Sequence, residues 1–531
     1  MNPAITGSTT DGWSTNAWET QFDGLPASLK EKLVRYFCKA LVLAGVYLLI
    51  ASCGNDDQGL TSATTEDAPY AVGSSTFFIH DESRPYDSVN NINEGIRTLI
   101  TEVWYPVSKE VANSGKYQRA TYGDYVFGDR DVHRLMLTKT TFFHLTPKSV
   151  RKGVTTQQID EAIEELFERE RRSFIDAPLA DTGNLLPVVV MSHGDAGSRY
   201  NMATVVEHLA ANGYFVIAPE HTGNSPYSLT GHDPAFKNNK DFLERMADVL
   251  PHLSKLGAYG KEEHYGQSYT PLSGDRGSLD SLRNLDQSLV QRLNDLRATL
   301  QTLDQINADG FAGMPSGSLN LDRIGLTGRS FGGTTTMVGL AMEPRFTSGF
   351  AVVPPGWTDP RPTVPSEALV VRPQESVLLA ATGEFPLTTI TKPTFLLSGS
   401  EDALLIGLAA SMANEFRTDE PSADNPHPIL RNAYEKNNSP IVWGLLSDSN
   451  HATFGVSGGY WWPELKPNVQ TRYFEPDITF KLVDVDIAHQ LQKELALAFF
   501  DFTIRLDESA NKILINNQYK DYGLILESKN L

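Results

Sequence analysis

Ser330 stands at the centre of Gly328-Arg-Ser-Phe-Gly332, with a further glycine at Gly333. A partly apolar run from Asp322 to Thr327 leads into it, and helix-forming residues from Met337 to Ala341 follow. That context predicts a sharp strand-to-helix turn that lifts the serine hydroxyl clear of a sheet. Side chains two residues before and after the serine would collide with neighbouring backbone, so Gly328 and Gly332 fit the turn. The ordinary reading of the same stretch is a glycine-rich structural turn. A serine hydroxyl is a weak nucleophile, so the chemistry needs three more parts. An imidazole must take its proton, a carboxylate must fix the imidazole's tautomer, and backbone N–H groups must meet the oxyanion.

Of the chain's 12 histidines, only His427, His451 and His489 follow Asp402. His427 is flanked by prolines in a loop, and His489 falls in a terminal helical pattern. His451 alone follows an apolar run, Ile441 to Leu446, through a short polar loop. It is the expected base, against the reading of a satisfied surface histidine. Asp402 follows the run Lys392 to Leu397 through Ser398-Gly-Ser-Glu401, and is the expected acid. Glu401 and Asp448 are the alternatives. The oxyanion donors are expected to be the amides of Phe331 and of Asp195, the latter in the turn Ser192-His-Gly-Asp195 after Leu186 to Met191.

These loops need a scaffold. Thr98 to Pro106 is rich in β-branched and aromatic residues and predicts a strand. Leu186 to Met191 is continuously apolar, as in a central parallel strand covered on both faces. Met202 to Ala211 predicts a helix stopped by Asn212-Gly213, and Tyr214 to Pro219 the next strand. Further strands are expected at Gly349 to Val353, Lys392 to Leu397 and Ile441 to Leu446. Helical stripes run through Ile159 to Phe167, Phe242 to Leu253, Leu289 to Leu303 and Ile487 to Phe502, and read as packed faces. Two Arg-x-x-Asp echoes, Arg245/Asp248 and Arg292/Asp295, form no repeat. Alternating strands and helices predict an α/β fold with a mostly parallel central sheet flanked by helices. Every candidate residue then lies beyond the C-terminal end of a strand, where sites assemble in such sheets.

The chain has 531 residues, a formal charge of −20 and two cysteines, Cys38 and Cys53. The acidic balance and the lack of a Lys/Arg run argue against a nucleic-acid surface. Lys30, Lys32, Arg35 and Lys39 precede an apolar run, Ala40 to Ser52, too short for a comfortable membrane span but suited to an export signal. Ile50-Ala-Ser-Cys53 resembles the lipobox of bacterial lipoproteins, which implies acylation of Cys53 and loss of residues 1–52. The alternative is an uncleaved anchor helix. The polar lead 1–29 is long for such a signal and suggests a start downstream of Met1. The expected organisation is therefore a leader and export signal over 1–52, the lipidated cysteine and a tether over 53–69, one catalytic domain over 70–506 and a C-terminal extension over 507–531. A polar, cap-like insertion is expected at about 222–280.

The set Thr101-Glu-Val-Trp-Tyr-Pro106, Ser192-His-Gly194, Gly328-Arg-Ser-Phe-Gly-Gly333, Gly399-Ser-Glu-Asp402 and Asn450-His-Ala-Thr-Phe454 resembles the platelet-activating-factor acetylhydrolase-like α/β-hydrolases. Bacterial relatives of dienelactone hydrolases and polyester-cleaving esterases look similar. The order Ser330, Asp402, His451 is the one expected of that fold. The resemblance implies an oxyanion hole from the amides of Asp195 and Phe331, and no metal or organic cofactor. Arg329 departs from it, standing where histidine is common, and so does the long insertion. The expectation is an exported, lipid-anchored serine esterase acting on short-acyl or phospholipid-type esters. An amide or peptide hydrolase on the same fold, and a catalytically silent surface-binding protein, are the alternatives.

Overall fold

The computed structural model describes residues 68–126, 130–139, 144–225, 240–247, 279–311, 313–356, 376–380, 390–416 and 418–531. Residues 1–52, Cys53, most of the tether and most of the 222–280 insertion lie outside them. So do Val249, Leu253 and the side chain of Phe242.

The scaffold is an 11-stranded sheet. Its centre is β5 (Leu186–Ser192), buried along its whole length. It is flanked in parallel by β6 (Phe215–Pro219) and β7 (Leu319–Arg329). Parallel neighbours and helices on both faces leave no solvated side, which accounts for the unbroken apolar run. β8 (Phe346–Val352), β9 (Thr394–Gly399) and β10 (Ile441–Leu446) continue the parallel order outward from β7. On the other side β2 (Arg97–Val107) pairs antiparallel with β6, and β1 (Ala71–Asp81) antiparallel with β2. β4 (Glu170–Ile175) and β3 (Arg119–Thr121) close that edge.

Two helix pairs cover the faces: α1 (Ala203–Ala211) packs with α4 (Val485–Phe500), and α2 (Leu279–Asp309) with α3 (Phe331–Met342). Successive residues of a strand point to opposite faces, and β7 separates the pairs accordingly. A methyl group on Gly325 would meet Phe500, whereas Leu326 lies against Gly339 of α3.

Two differences from the sequence-based expectation bear on the site. Residues 507–531, expected as an extension, supply a strand, Leu524–Lys529, that pairs antiparallel with β10 at the sheet edge. Thr222, Asn224 and Ser225, expected to open a polar cap, are buried. Their hydrogen bonds run inward: the Thr222 carbonyl accepts from Arg97, and Asn224 is bonded to Asp195. Saturated partners in the core make these polar residues ordinary buried ones.

Candidate active site

Four parallel strands end at one rim of the sheet and deliver the candidate residues. Ser330 follows β7 directly, with φ 58° and ψ −125°, a strained backbone for a residue with a side chain. Its amide donates to the Val352 carbonyl at 2.8 Å, which ties the turn to β8. A methyl group on Gly328 would lie 2.3 Å from the Gly332 carbonyl oxygen, and one on Gly332 would lie 1.9 Å from that of Ser192. Both glycines are therefore dictated by backbone packed against backbone.

His451 follows β10 at the start of a short turn, His451–Phe454, capped by Asn450, whose side-chain oxygen accepts from the amides of Ala452 and Thr453. Its Nε2 is 2.8 Å from Ser330 Oγ, and its Nδ1 is 2.7 Å from Asp402 Oδ2. A carboxylate can only accept, so Nδ1 carries the proton and Nε2 is left to accept from the serine hydroxyl. The other Asp402 oxygen accepts from the Leu405 amide at 3.0 Å, in the first turn of the helix Ala403–Phe416. Burial lowers the His451 pKa below the ordinary imidazole value, Asp402 pulls it back up, and Arg329 lowers it further. The net direction keeps His451 neutral, the form that can accept a proton.

Arg329 is buried and donates to the His451 backbone carbonyl. Its Nη1 lies 3.5 Å from Asn201 Oδ1. Burial lowers its pKa to about 10, with Asp402 opposing. The guanidinium thus stays charged at neutral pH and holds the loop that carries the imidazole.

The turn after β5 abuts Ser330: a methyl group on Gly194 would lie 3.1 Å from Ser330 Cβ. The Asp195 carboxylate accepts from Asn224 Nδ2 at 2.6 Å, which directs that side chain toward Asn224. Phe331 opens α3, where amides lack partners within the helix.

The remaining candidates are engaged elsewhere. Glu401 and Asp448 both pair with Arg472, at 2.8 and 2.7 Å. His427 Nε2 donates to the Gly399 carbonyl, and His489 Nδ1 is 2.8 Å from Thr204 Oγ1.

Sequence reasoning missed a buried polar cluster beneath the turn Ser192–Asp195. Ser192 Oγ is 2.8 Å from His221 Nε2, and His221 Nδ1 is 3.0 Å from Asp295 Oδ2. Asp295 also takes a bidentate pair from Arg97, and Arg292 lies alongside. This second Ser–His–Asp line is fully buried at all three members, so it reads as framework and not as a reaction centre. A signal was present: Arg292 stands three residues after Leu289 and four before Leu296, on the helical stripe that packs inward.

A cavity of about 520 Å³ lies elsewhere, between β1 and α2, lined in part by Phe77, His80, Ala298 and Phe311. None of the candidate residues lines it. Among the described residues no group of three or more His, Cys, Asp or Glu could hold a metal ion.

Residues 153–361 match the family described as platelet-activating factor acetylhydrolase, isoform II. The platelet-activating factor acetylhydrolase of Cavia porcellus is 26% identical over 177 residues, which is 33% of this chain and 36% of that protein. That of Gallus gallus is 24% identical over 174 residues, 32% of this chain and 39% of its own. The chain thus spans little more than a third of the length of these relatives. A ferulic acid esterase from Streptomyces cinnamoneus is 18% identical over 86% of this chain and 96% of its own, with a TM-score of 0.49. With its mostly parallel sheet flanked by helices and its match over residues 153–361, this chain has the α/β-hydrolase fold and resembles the platelet-activating factor acetylhydrolases.

Proposed function

We propose that this chain is a serine hydrolase of carboxylic esters. The observation that carries the reading is the unbroken hydrogen-bonded line from Ser330 through His451 to Asp402, with its serine on a strained turn beside Gly194. In this reading Ser330 Oγ attacks the ester carbonyl while His451 Nε2 takes its proton. Asp402 stabilises the imidazolium, and the amides of Asp195 and Phe331 receive the developing oxyanion. His451 then gives the proton to the leaving alcohol, and the C–O bond breaks. Water, deprotonated by His451, attacks the acyl-enzyme and releases the acid and the free serine.

The relatives' name, and the polar make-up of the 222–280 insertion, favour short acyl groups such as acetyl. An oil-facing lid would need a broad apolar surface, and Asn238, Asn239, Lys240, Lys261, Glu262 and Glu263 interrupt that insertion. The basic residues, apolar run and Cys53 support export and a lipid anchor for the same enzyme.

The test is labelling of the full chain with a fluorophosphonate, peptide mapping of the label, and turnover of p-nitrophenyl esters of increasing acyl length. Label on Ser330 with fastest turnover of the shortest esters is expected. No label and no ester turnover would remove the hydrolase reading and leave the binding protein; faster cleavage of matched amides would favour the amidase. A sharp rise in rate once ester droplets form would replace the short-acyl reading with that of a lipase.

A further inference from the structure

We propose that Arg292 is a positioning residue for the oxyanion hole, holding its two halves, the His193–Asp195 turn and Phe331, in register against each other. The inference rests on the ester-hydrolase reading of Ser330.

Arg292 projects from α2 and is fully buried. Nη1 donates to the His193 carbonyl at 2.8 Å, to Ser192 Oγ at 3.2 Å and to Thr335 Oγ1, on α3, at 3.3 Å. Nη2 donates to the side-chain oxygen of Asn224 and approaches the Gly194 carbonyl at 3.4 Å. Asn224 passes the contact on, donating to the Asp195 carboxylate at 2.6 Å. The guanidinium also lies over the Phe331 ring, 4.3 Å from its centroid. One rigid, planar fork therefore touches both segments whose amides would meet the oxyanion.

The peptide between Gly194 and Asp195 shows what this contact does. Its carbonyl accepts from Arg292, from the Gly197 amide at 3.1 Å and from His193 Nδ1 at 2.7 Å. The His193 tautomer is set by the His221 amide, which donates to Nε2 at 2.9 Å and leaves the proton on Nδ1. In a trans peptide the N–H points away from the C=O. Drawing the Gly194 carbonyl toward Arg292 therefore turns the Asp195 N–H away from it, while Gly194 itself abuts Ser330. A carbonyl bonded to a cation also polarises its own peptide and strengthens the N–H as a donor.

The energetics argue that Arg292 is more than filler. All the hydrogen-bond acceptors it reaches among the described residues are neutral, and its Nε has no acceptor. A buried cation without a hydrogen-bonded carboxylate is costly, and an apolar residue of similar volume would fill the space more favourably. Burial lowers its pKa to about 9 while Asp195 and Asp295 oppose that, so the charge persists at neutral pH. A fixed positive charge behind the two donors favours the negative oxygen of the tetrahedral intermediate over the neutral carbonyl of the substrate.

The experiment uses the full chain carrying Arg292→Lys, Arg292→Met or Asn224→Ala, with active sites counted by fluorophosphonate titration so that rates refer to folded enzyme. kcat and KM are measured on a short-chain ester, together with inhibition by a trifluoromethyl ketone, whose serine adduct carries the oxyanion. In both Arg292 variants kcat is expected to fall roughly 10- to 100-fold, less than the loss of a donor outright, with KM within about twofold. Affinity for the ketone should fall by the same factor as kcat, a correlation that a merely structural role would not produce. Asn224→Ala should lie between wild type and Arg292→Lys. Folded Arg292→Lys with wild-type kcat and ketone affinity would overturn the proposal. Should neither Arg292 variant fold, Asn224→Ala decides it by the same comparison. A wild type that neither labels at Ser330 nor turns over esters would overturn the hydrolase reading and this proposal together, whereas an active wild type with unaffected variants overturns this one alone.

Discussion

His451 Nε2 lies 2.8 Å from Ser330 Oγ across 121 residues of chain. The two meet because β7 and β10 run parallel and end at the same rim, with β8 and β9 between them. In the proposed mechanism the two act as one proton-transfer unit, so Ser330→Ala and His451→Ala should each cost on the order of 10³-fold or more in kcat, and the double variant little beyond that. Steady-state hydrolysis of a short-chain ester checks this; near wild-type turnover by Ser330→Ala would discard the assignment.

The acid can be tested against its neighbours. Asp402 is fully buried and bonded to His451 Nδ1, whereas Glu401 and Asp448 are paired with Arg472. Asp402→Asn should lower kcat by about 10⁴-fold, because the amide can donate to Nδ1 and invert the imidazole tautomer. Glu401→Gln and Asp448→Asn should leave kcat within about twofold, since both carboxylates are held by Arg472 and neither is bonded to His451. The ratio of the three rates decides the matter.

Gly332→Ala puts a methyl group 1.9 Å from the Ser192 carbonyl, where the Ser330 turn meets the turn after β5. Backbone must move there, so fluorophosphonate labelling should slow by at least about 100-fold, as misplacement by 1 Å already does. Labelling at the wild-type rate would mean that the turn tolerates a side chain.

Acid stability should be governed by buried neutral histidines. Burial lowers His133, His144 and His489 to about 3, and His208 and His221 to about 4, from 6.5. Between the unfolded and folded values the unfolded chain binds more protons, so stability falls as pH drops below about 6.5. Each such histidine adds a slope of up to about 1.4 kcal/mol per pH unit. Burial likewise lowers Lys466 to about 7, so urea midpoints should already slope gently downward from pH 8 to 7 and fall more steeply from 7 to 5. The decline should be shallower in His489→Gln. A midpoint unchanged down to pH 5 would contradict the buried neutral state.

Cys53 offers a test of the anchor. With the basic residues and apolar run before it, the native protein should carry several acyl chains there, since one chain holds a membrane only marginally. Mass spectrometry of the N-terminal peptide from the native host should find acylated Cys53 as the first residue, and Cys53→Ala should abolish the modification. An unmodified Cys53 within a continuous peptide would refute it.

What the sequence by itself determined is local. The glycines at 328 and 332 announce a turn without room for side chains, the run from Leu186 announces a strand covered on both faces, and Ser330, Asp402 and His451 each follow an apolar run by a few polar residues. These signals are short-range, because they reflect backbone sterics and the periodicity of burial. Tertiary structure decided which of the competing acids meets His451, since Asp402, Glu401 and Asp448 all lie in polar loops and differ only in where their side chains are held. It also placed Leu524–Lys529 at the sheet edge, a pairing across some 80 residues that no local pattern encodes. Arg292 shows the limit most clearly. Its place on the inward stripe was readable, but its partners come from β5, the turn after β6 and α3, and only packing brings those segments around one guanidinium.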